Sequence, residues 1–227
     1  MIIREEGQVT DEQELDPLRA AAETMREVRD RCVWSQQITH RDLVPYLIEE
    51  SHEVIDAVES GTRADLREEL GDLLWQVLFH AAIAAQDPDD PFDIDDVADT
   101  LTEKMLRRHP HVFAGEVATT PDEVLVHWNA AKAAEKRTRR SVLDGVPRGM
   151  PALALAQKIV GRAAGAGVDV ARPSDVAAAV PSTEAELGDA LLELVAVARA
   201  EGWDAERALR VRLRGLEADV RAAESDD

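Results

Sequence analysis

The stretch "LIEESHEVIDAVESGTRADLREELGDLLWQVLFH", residues 47–80, decides the fold. Apolar residues recur at helical spacing on both sides of Gly61, which predicts two helices joined by a tight turn. Thr62 followed by Asp65 has the spacing of a capping box, with Asp in place of the usual Glu, and Gly61 permits the turn. Helices connected this closely lie antiparallel. Each also carries carboxylates among its apolar positions: Glu49, Glu50 and Glu53 on the first, Glu69 and Asp72 on the second.

Residues three apart share a helix face, so Glu50 points with Glu53 and Glu69 with Asp72. If the two faces oppose each other, four carboxylates converge. Adjacent like charges raise one another's pKa values, and burial adds to the cost. A divalent cation removes the conflict, and hard oxygen ligands favour Mg2+, with Mn2+ as a substitute. The competing reading is a pair of solvated acidic faces, since E-x-x-E pairs are common on surface helices. Two details favour the site. Asp72 directly precedes the apolar run Leu73–Leu78, and Gly71 stands inside a helix at a cost of about 1 kcal/mol relative to Ala, which suits a close helix approach.

Upstream, residues 16–31 read as a helix with the stripe Leu18, Ala21, Ala22, Met25 and Val28. Thr39 is a candidate cap for the acidic helix, and Pro45 fits its first turn, where a missing N–H costs nothing. Downstream, "IDDVADTLTEKMLRRHPHVF" predicts a helix ending in a basic cluster, and a weaker helix spans 121–139. The turn formers of "SVLDGVPRGMP" mark a domain junction, placing one domain over 1–145 and a second over 146–227. The second domain repeats part of the first: "EELGDLLWQVLFHAAIAAQ" from Glu68 is echoed by "EAELGDALLELVAVARAEG" from Glu184. Its ELGD has no acidic partner helix, only "VGRAAGAGVDVARPSDVAAAVPST", so Glu186 and Asp189 stand without the other carboxylates. We read this half as a degenerate repeat with a structural or dimer-supporting role.

Composition narrows the classes. The 227 residues are 45% hydrophobic but only 4% aromatic, with Ala and Leu dominant, which favours an all-α protein with a real core. The formal charge of −20 repels phosphate backbones and disfavours nucleic acid as a partner. Cys32 is the single cysteine, so neither an intrachain disulfide nor a multi-cysteine metal site is available. No apolar leader opens the sequence and no long apolar run interrupts it, so no membrane contact and a cytoplasmic location are expected. His40, His52, His80 and His109 lack a compact ligand spacing, and His80 reads as a core-edge residue. The run "KRTRR", 136–140, reads as a solvated linker patch.

These residues resemble the MazG family of nucleoside triphosphate pyrophosphohydrolases. The family pattern E-E-x-x-E, spacer, E-x-x-D stands here as Glu49-Glu50-x-x-Glu53 and Glu69-x-x-Asp72. The likeness continues through "CVWSQQITHRDLVPYLIEE", "EKMLRRHPHVFAGE" and "WNAAK", covering about residues 30–140 strongly. Val33 and Ser35 replace the family's usual proline and aspartate, and Ile38 precedes Thr39.

The resemblance implies an antiparallel all-α helical bundle, a homodimer, and Mg2+-dependent cleavage of nucleoside triphosphates between the α and β phosphates. The products would be a monophosphate and pyrophosphate, and the role nucleotide-pool housekeeping. Glu50, Glu53, Glu69 and Asp72 are then the metal ligands, with Glu49 as an auxiliary or water-orienting carboxylate. Lys104, Arg107 and Arg108 become candidates for meeting the phosphates, although cations at a helix C-terminus are favourable without any ligand. Trp128 and Lys132, four apart, are candidates for stacking on a base and meeting a phosphate, although Trp128 also suits simple packing. The rival classes are a helical dimerisation scaffold without activity and a magnesium phosphohydrolase restricted to another nucleotide class.

Overall fold

The computed structural model describes residues 16–135, 141–168 and 181–225, with 217–225 described by their backbone. The opening segment, the "KRTRR" run and residues 169–180 lie outside the described residues. Every regular element among the described residues is helical. They gather into two compact units, Met1–Lys132 and Ala133–Asp227.

In the first unit, α1 (Pro17–Arg31) starts where Asp16 accepts from the Leu18 N–H and Pro17 supplies a helical φ. A 3-10 turn, Ser35–Gln37, leads to α2 (Val44–Ser60). Thr39 does not cap α2. Its hydroxyl donates to Asp42 Oδ2 at 2.6 Å and closes a turn, and the helix begins only after Leu43, which is buried in the core. Pro45 occupies the first turn as expected. Gly61 then ends α2; a Cβ there would stand 2.7 Å from Ala57 Cα, so the turn requires glycine. Thr62 and Asp65 form the reciprocal capping box of α3 (Arg63–Ala84).

Asp93 and Asp96 form a second capping box at the start of α4 (Ile94–Arg108), which is followed by the short α5 (Pro110–Phe113) and by α6 (Pro121–Glu135). The core gathers Ala22 and Met25 of α1, Leu43, and Leu78 and Phe79 of α3, with Leu74, Trp75, Ile83 and Ile94 packed around them. Burial of each large side chain contributes about 1.5–3 kcal/mol. Arg29, also buried, binds the loop before α2 to α1: it donates to the Ser35 carbonyl, to the Ile38 carbonyl at 3.0 Å and to Gln86 Oε1 at 2.9 Å.

The apolar positions do not all face this core. Leu18 is 65% exposed, Leu70 50% and Val77 42%, so α1 and α3 keep a second apolar surface. Leu18, Val77 and Leu101 line a groove with Leu74, Ile94 and Val97. Gly71 also departs from expectation. A Cβ there would meet nothing within 4 Å, so no other helix among the described residues approaches it. Gly71→Ala is therefore expected to raise stability by about 1 kcal/mol, measured by denaturant unfolding. Destabilisation would place an unrecognised contact at this position.

In the second unit, α7 (Ala152–Gly165) packs on α8 (Glu184–Ala200) and α9 (Ala205–Ser225), burying Val160, Ala163, Val195, Ala196 and Ala198. Gln157 fastens the α8–α9 turn: its Nε2 donates to the Trp203 carbonyl at 2.8 Å and its Oε1 accepts from the Ala205 N–H at 3.3 Å. The segment Val160–Gly165, which shows no clean helical pattern in the sequence, forms the last turns of α7.

Candidate metal centre

Contacts between α2 and α3 run in opposite order along the two helices. Glu50 meets Gln76 and feels Asp72, Glu53 acts on Glu69, and Gly61 lies beside Asp65. The helices are therefore antiparallel, with their acidic faces opposed. Carboxylate oxygens of Glu50, Glu69 and Asp72 come within 4.8 Å of one another. Glu53, three residues beyond Glu50 on α2, acts on both Glu50 and Glu69 and raises each of them. Glu49 lies near enough to act on Glu50.

This crowding has an electrostatic signature. Burial, the Glu53 hydrogen bond and the charges of Asp72, Glu53 and Glu49 push the Glu50 carboxyl above its ordinary range. Burial and the charges of Glu53, Asp72, Glu68 and Asp65 do the same to Glu69. Each of these charged neighbours is a carboxylate, so the cluster carries uncompensated negative charge. Oxygen donors converging at this distance suit a hard divalent cation, which would remove the repulsion that raises both groups.

Residues 38–113 match the MazG nucleotide pyrophosphohydrolase domain, a span that contains every one of these carboxylates. The chain is 36% identical to the nucleoside triphosphate pyrophosphohydrolase of Escherichia coli K12, over 87% of its own length and 82% of that protein. This chain belongs to the MazG family of nucleoside triphosphate pyrophosphohydrolases. It is also 45% identical to the Mycobacterium tuberculosis nucleoside triphosphate pyrophosphohydrolase over 90% of this chain, although it spans only 63% of that protein. A 26.1 kDa protein from the blaB 3' region of Streptomyces cacaoi is 50% identical, with 89% of this chain and 80% of that one covered.

Of the basic and aromatic candidates of this MazG chain, Arg108 and Trp128 meet, while Lys104, Arg107 and Lys132 lie on the same two helices, α4 and α6. The Arg108 guanidinium lies 5.0 Å from the centre of the Trp128 ring, and His109 meets the same ring edge-on at 5.3 Å. Arg107 pairs with Glu103 at 3.8 Å. Lys104 and Lys132 are half-buried on α4 and α6.

The histidines have other occupations. His40 and His80 stack, with their Nδ1 atoms 2.8 Å apart, so one ring donates and the other accepts. His80 Nε2 is buried without a partner, and burial followed by the charge of His40 lowers its pKa. His52 and His109 donate through Nδ1 to the carbonyls of Ile48 and Met105.

The second ELGD differs in register. Glu69 lies six residues beyond the start of α3, whereas Glu186 lies two beyond the start of α8 and is used as a cap. Its Oε2 accepts from the Ser182 N–H and hydroxyl, both at 2.7 Å, and these bonds lower its pKa. Glu186→Gln is expected to leave turnover within about twofold of wild type while slightly lowering the melting temperature. The stability it contributes is present above the ordinary Glu range and fades as pH falls through the lowered folded value. Melting curves and steady-state rates on one preparation check both halves.

Sequence reasoning missed Gln76. It is 5% exposed, interrupts the apolar run between Val77 and Trp75, and follows Asp72 by one helical turn. A lone amide inside such a run was the available signal.

Proposed function

We propose that this protein hydrolyses nucleoside triphosphates between the α and β phosphates, releasing a monophosphate and pyrophosphate with Mg2+ as cofactor and Mn2+ as a substitute. The carrying observation is the convergence of Glu50, Glu69 and Asp72 within 4.8 Å, with Glu50 and Glu69 held above their ordinary pKa. Glu50, Glu53, Glu69 and Asp72 would hold the cation, and Glu49 would orient water or support Glu50. When bound, a divalent cation polarises phosphoryl oxygens and makes water a better nucleophile.

The remaining residues bind and orient. Arg108, set over Trp128, and Lys104, Arg107 and Lys132 meet the phosphates, while Trp128 offers its ring to the base. Catalysis rests on residues 1–145, and 146–227 form a degenerate repeat with a structural or dimer-supporting role. The homodimer is supported by the exposed apolar surface of α2 and α3, including Tyr46, Ile48, Leu70 and Val77. Nucleotide-pool housekeeping is the role this chemistry fits, with the cytoplasm as its place. The charge of −20 speaks against nucleic acid as a partner, and no helix among the described residues is long and apolar enough to cross a membrane.

The test is product analysis by anion exchange after incubating the full chain with standard and oxidised nucleoside triphosphates, with and without Mg2+. Monophosphate plus pyrophosphate only with Mg2+ is expected. Orthophosphate as the first product would replace this reading with a phosphohydrolase of another kind. No turnover from folded protein, together with no thermal stabilisation by the cation, would favour the scaffold.

A further inference from the structure

Gln76 is one of three buried polar or charged side chains among the described residues, with Arg29 and Ser35. Unlike Arg29, it is poorly satisfied. Its Nε2 lies 3.5 Å from Glu50 Oε1, at the long limit of a hydrogen bond, and its Oε1 is buried with no partner. A buried amide oxygen left without a donor costs about 1–3 kcal/mol, and an apolar side chain of the same shape would avoid that cost. Packing alone therefore gives no reason for glutamine at this position.

The site gives one. Glu69, Asp72 and Gln76 fall on one stripe of α3, at successive turns, and Glu50 of α2 faces the two upper members. Of the three carboxylates that converge within 4.8 Å, Glu50 is the one that reaches across from α2. Of the neighbours that act on its ionised form, Glu49, Glu53 and Asp72 repel it, whereas the Gln76 N–H is an attractive contact that adds no charge. Hydrogen-bond donors behind ligating carboxylates fix their orientation, and their loss typically reduces metal affinity about 10–100-fold.

We infer that Gln76 is a positioning residue: its amide holds the Glu50 carboxylate turned toward Glu69 and Asp72 and so sets the affinity of the centre for divalent cations. This rests on the proposed function in taking the carboxylates as metal ligands.

The test uses the full chain with Mn2+ as the probe, read by electron paramagnetic resonance without substrate, in wild type, Gln76→Met and Gln76→Leu. Met is close to Gln in shape and removes both the donor and the unpartnered oxygen. The Mn2+ Kd is expected to rise about tenfold or more in both variants. Their metal-free melting temperatures should equal or exceed that of wild type. In assays, the Mn2+ concentration for half-maximal rate should rise in parallel, while kcat at saturating Mn2+ stays within a few-fold. A Kd within twofold of wild type in a folded variant overturns the inference. Lower metal-free melting temperatures in both variants would also overturn it, making Gln76 a packing residue. If wild type itself binds no Mn2+, the proposed function fails first, a result distinct from either.

Discussion

Asp72→Asn should reduce turnover by about 10³-fold or more with the fold intact. The amide keeps the shape of the side chain and one acceptor oxygen but removes the charge, and a cation's contribution to phosphoryl transfer is of the order of several kcal/mol. The structure gives the reason to expect an intact fold. Asp72 is exposed, and its carboxylate serves the cluster with Glu50 and Glu69 within 4.8 Å. Helix capping falls instead to Thr62 and Asp65, about two to three turns earlier. Circular dichroism and metal-free melting should therefore match wild type, or improve slightly as repulsion on Glu50 and Glu69 is relieved. Rates within tenfold of wild type at saturating Mg2+ would remove Asp72 from the assigned site. A control is Glu186→Gln, in the second ELGD, where the glutamate caps the start of α8.

What the sequence revealed, and what it hid, follows the range of the interactions. Caps are local, and Pro45 in a first turn and Thr62 with Asp65 stand in the structure where their spacing places them. The convergence of Glu50, Glu69 and Asp72 needs a register between two helices, which spacing alone leaves open and the MazG resemblance supplied. Misreadings came where a local signal met tertiary context. Thr39 has the chemistry of a cap, but Leu43 in the core delays α2, and Thr39 turns to Asp42. Gly71 suggested a close approach, yet the space beside it is open.

Periodicity also fails to distinguish two apolar faces from one. Leu70 and Val77 belong to the same apolar pattern as Leu78, but only Leu78 enters the core. Gln76 was hidden for the opposite reason, because a single polar residue in an apolar run carries no periodic signal. Its significance comes from Glu50 on another helix, 26 residues away.

Glu50→Gln should separate stability from activity. Without metal, near pH 7.5, the variant is expected to melt a few degrees above wild type, while turnover falls by at least about 10²-fold. The wild-type carboxyl is held above its ordinary pKa by burial, by Glu53 and by Asp72, Glu53 and Glu49 charges, so its ionised form is disfavoured in the folded state. The sign follows from linkage. A carboxyl with a raised folded pKa contributes most below its unfolded value, near 4.3, and that contribution is lost as pH rises through the folded value. The difference between variant and wild type should therefore grow from acid to neutral pH. Asp42, Asp65, Asp87, Glu123 and Glu186 have lowered pKa values and the opposite dependence, but they are common to both proteins and cancel. A second amide at position 50 can also donate to the unpartnered Gln76 Oε1. Mg2+ should reverse the order: at a hundred times its Kd it stabilises wild type by about 2.7 kcal/mol and the variant by much less. A variant less stable than wild type without metal at pH 7.5 would mean that the repulsion among these carboxylates is already relieved by something other than a cation.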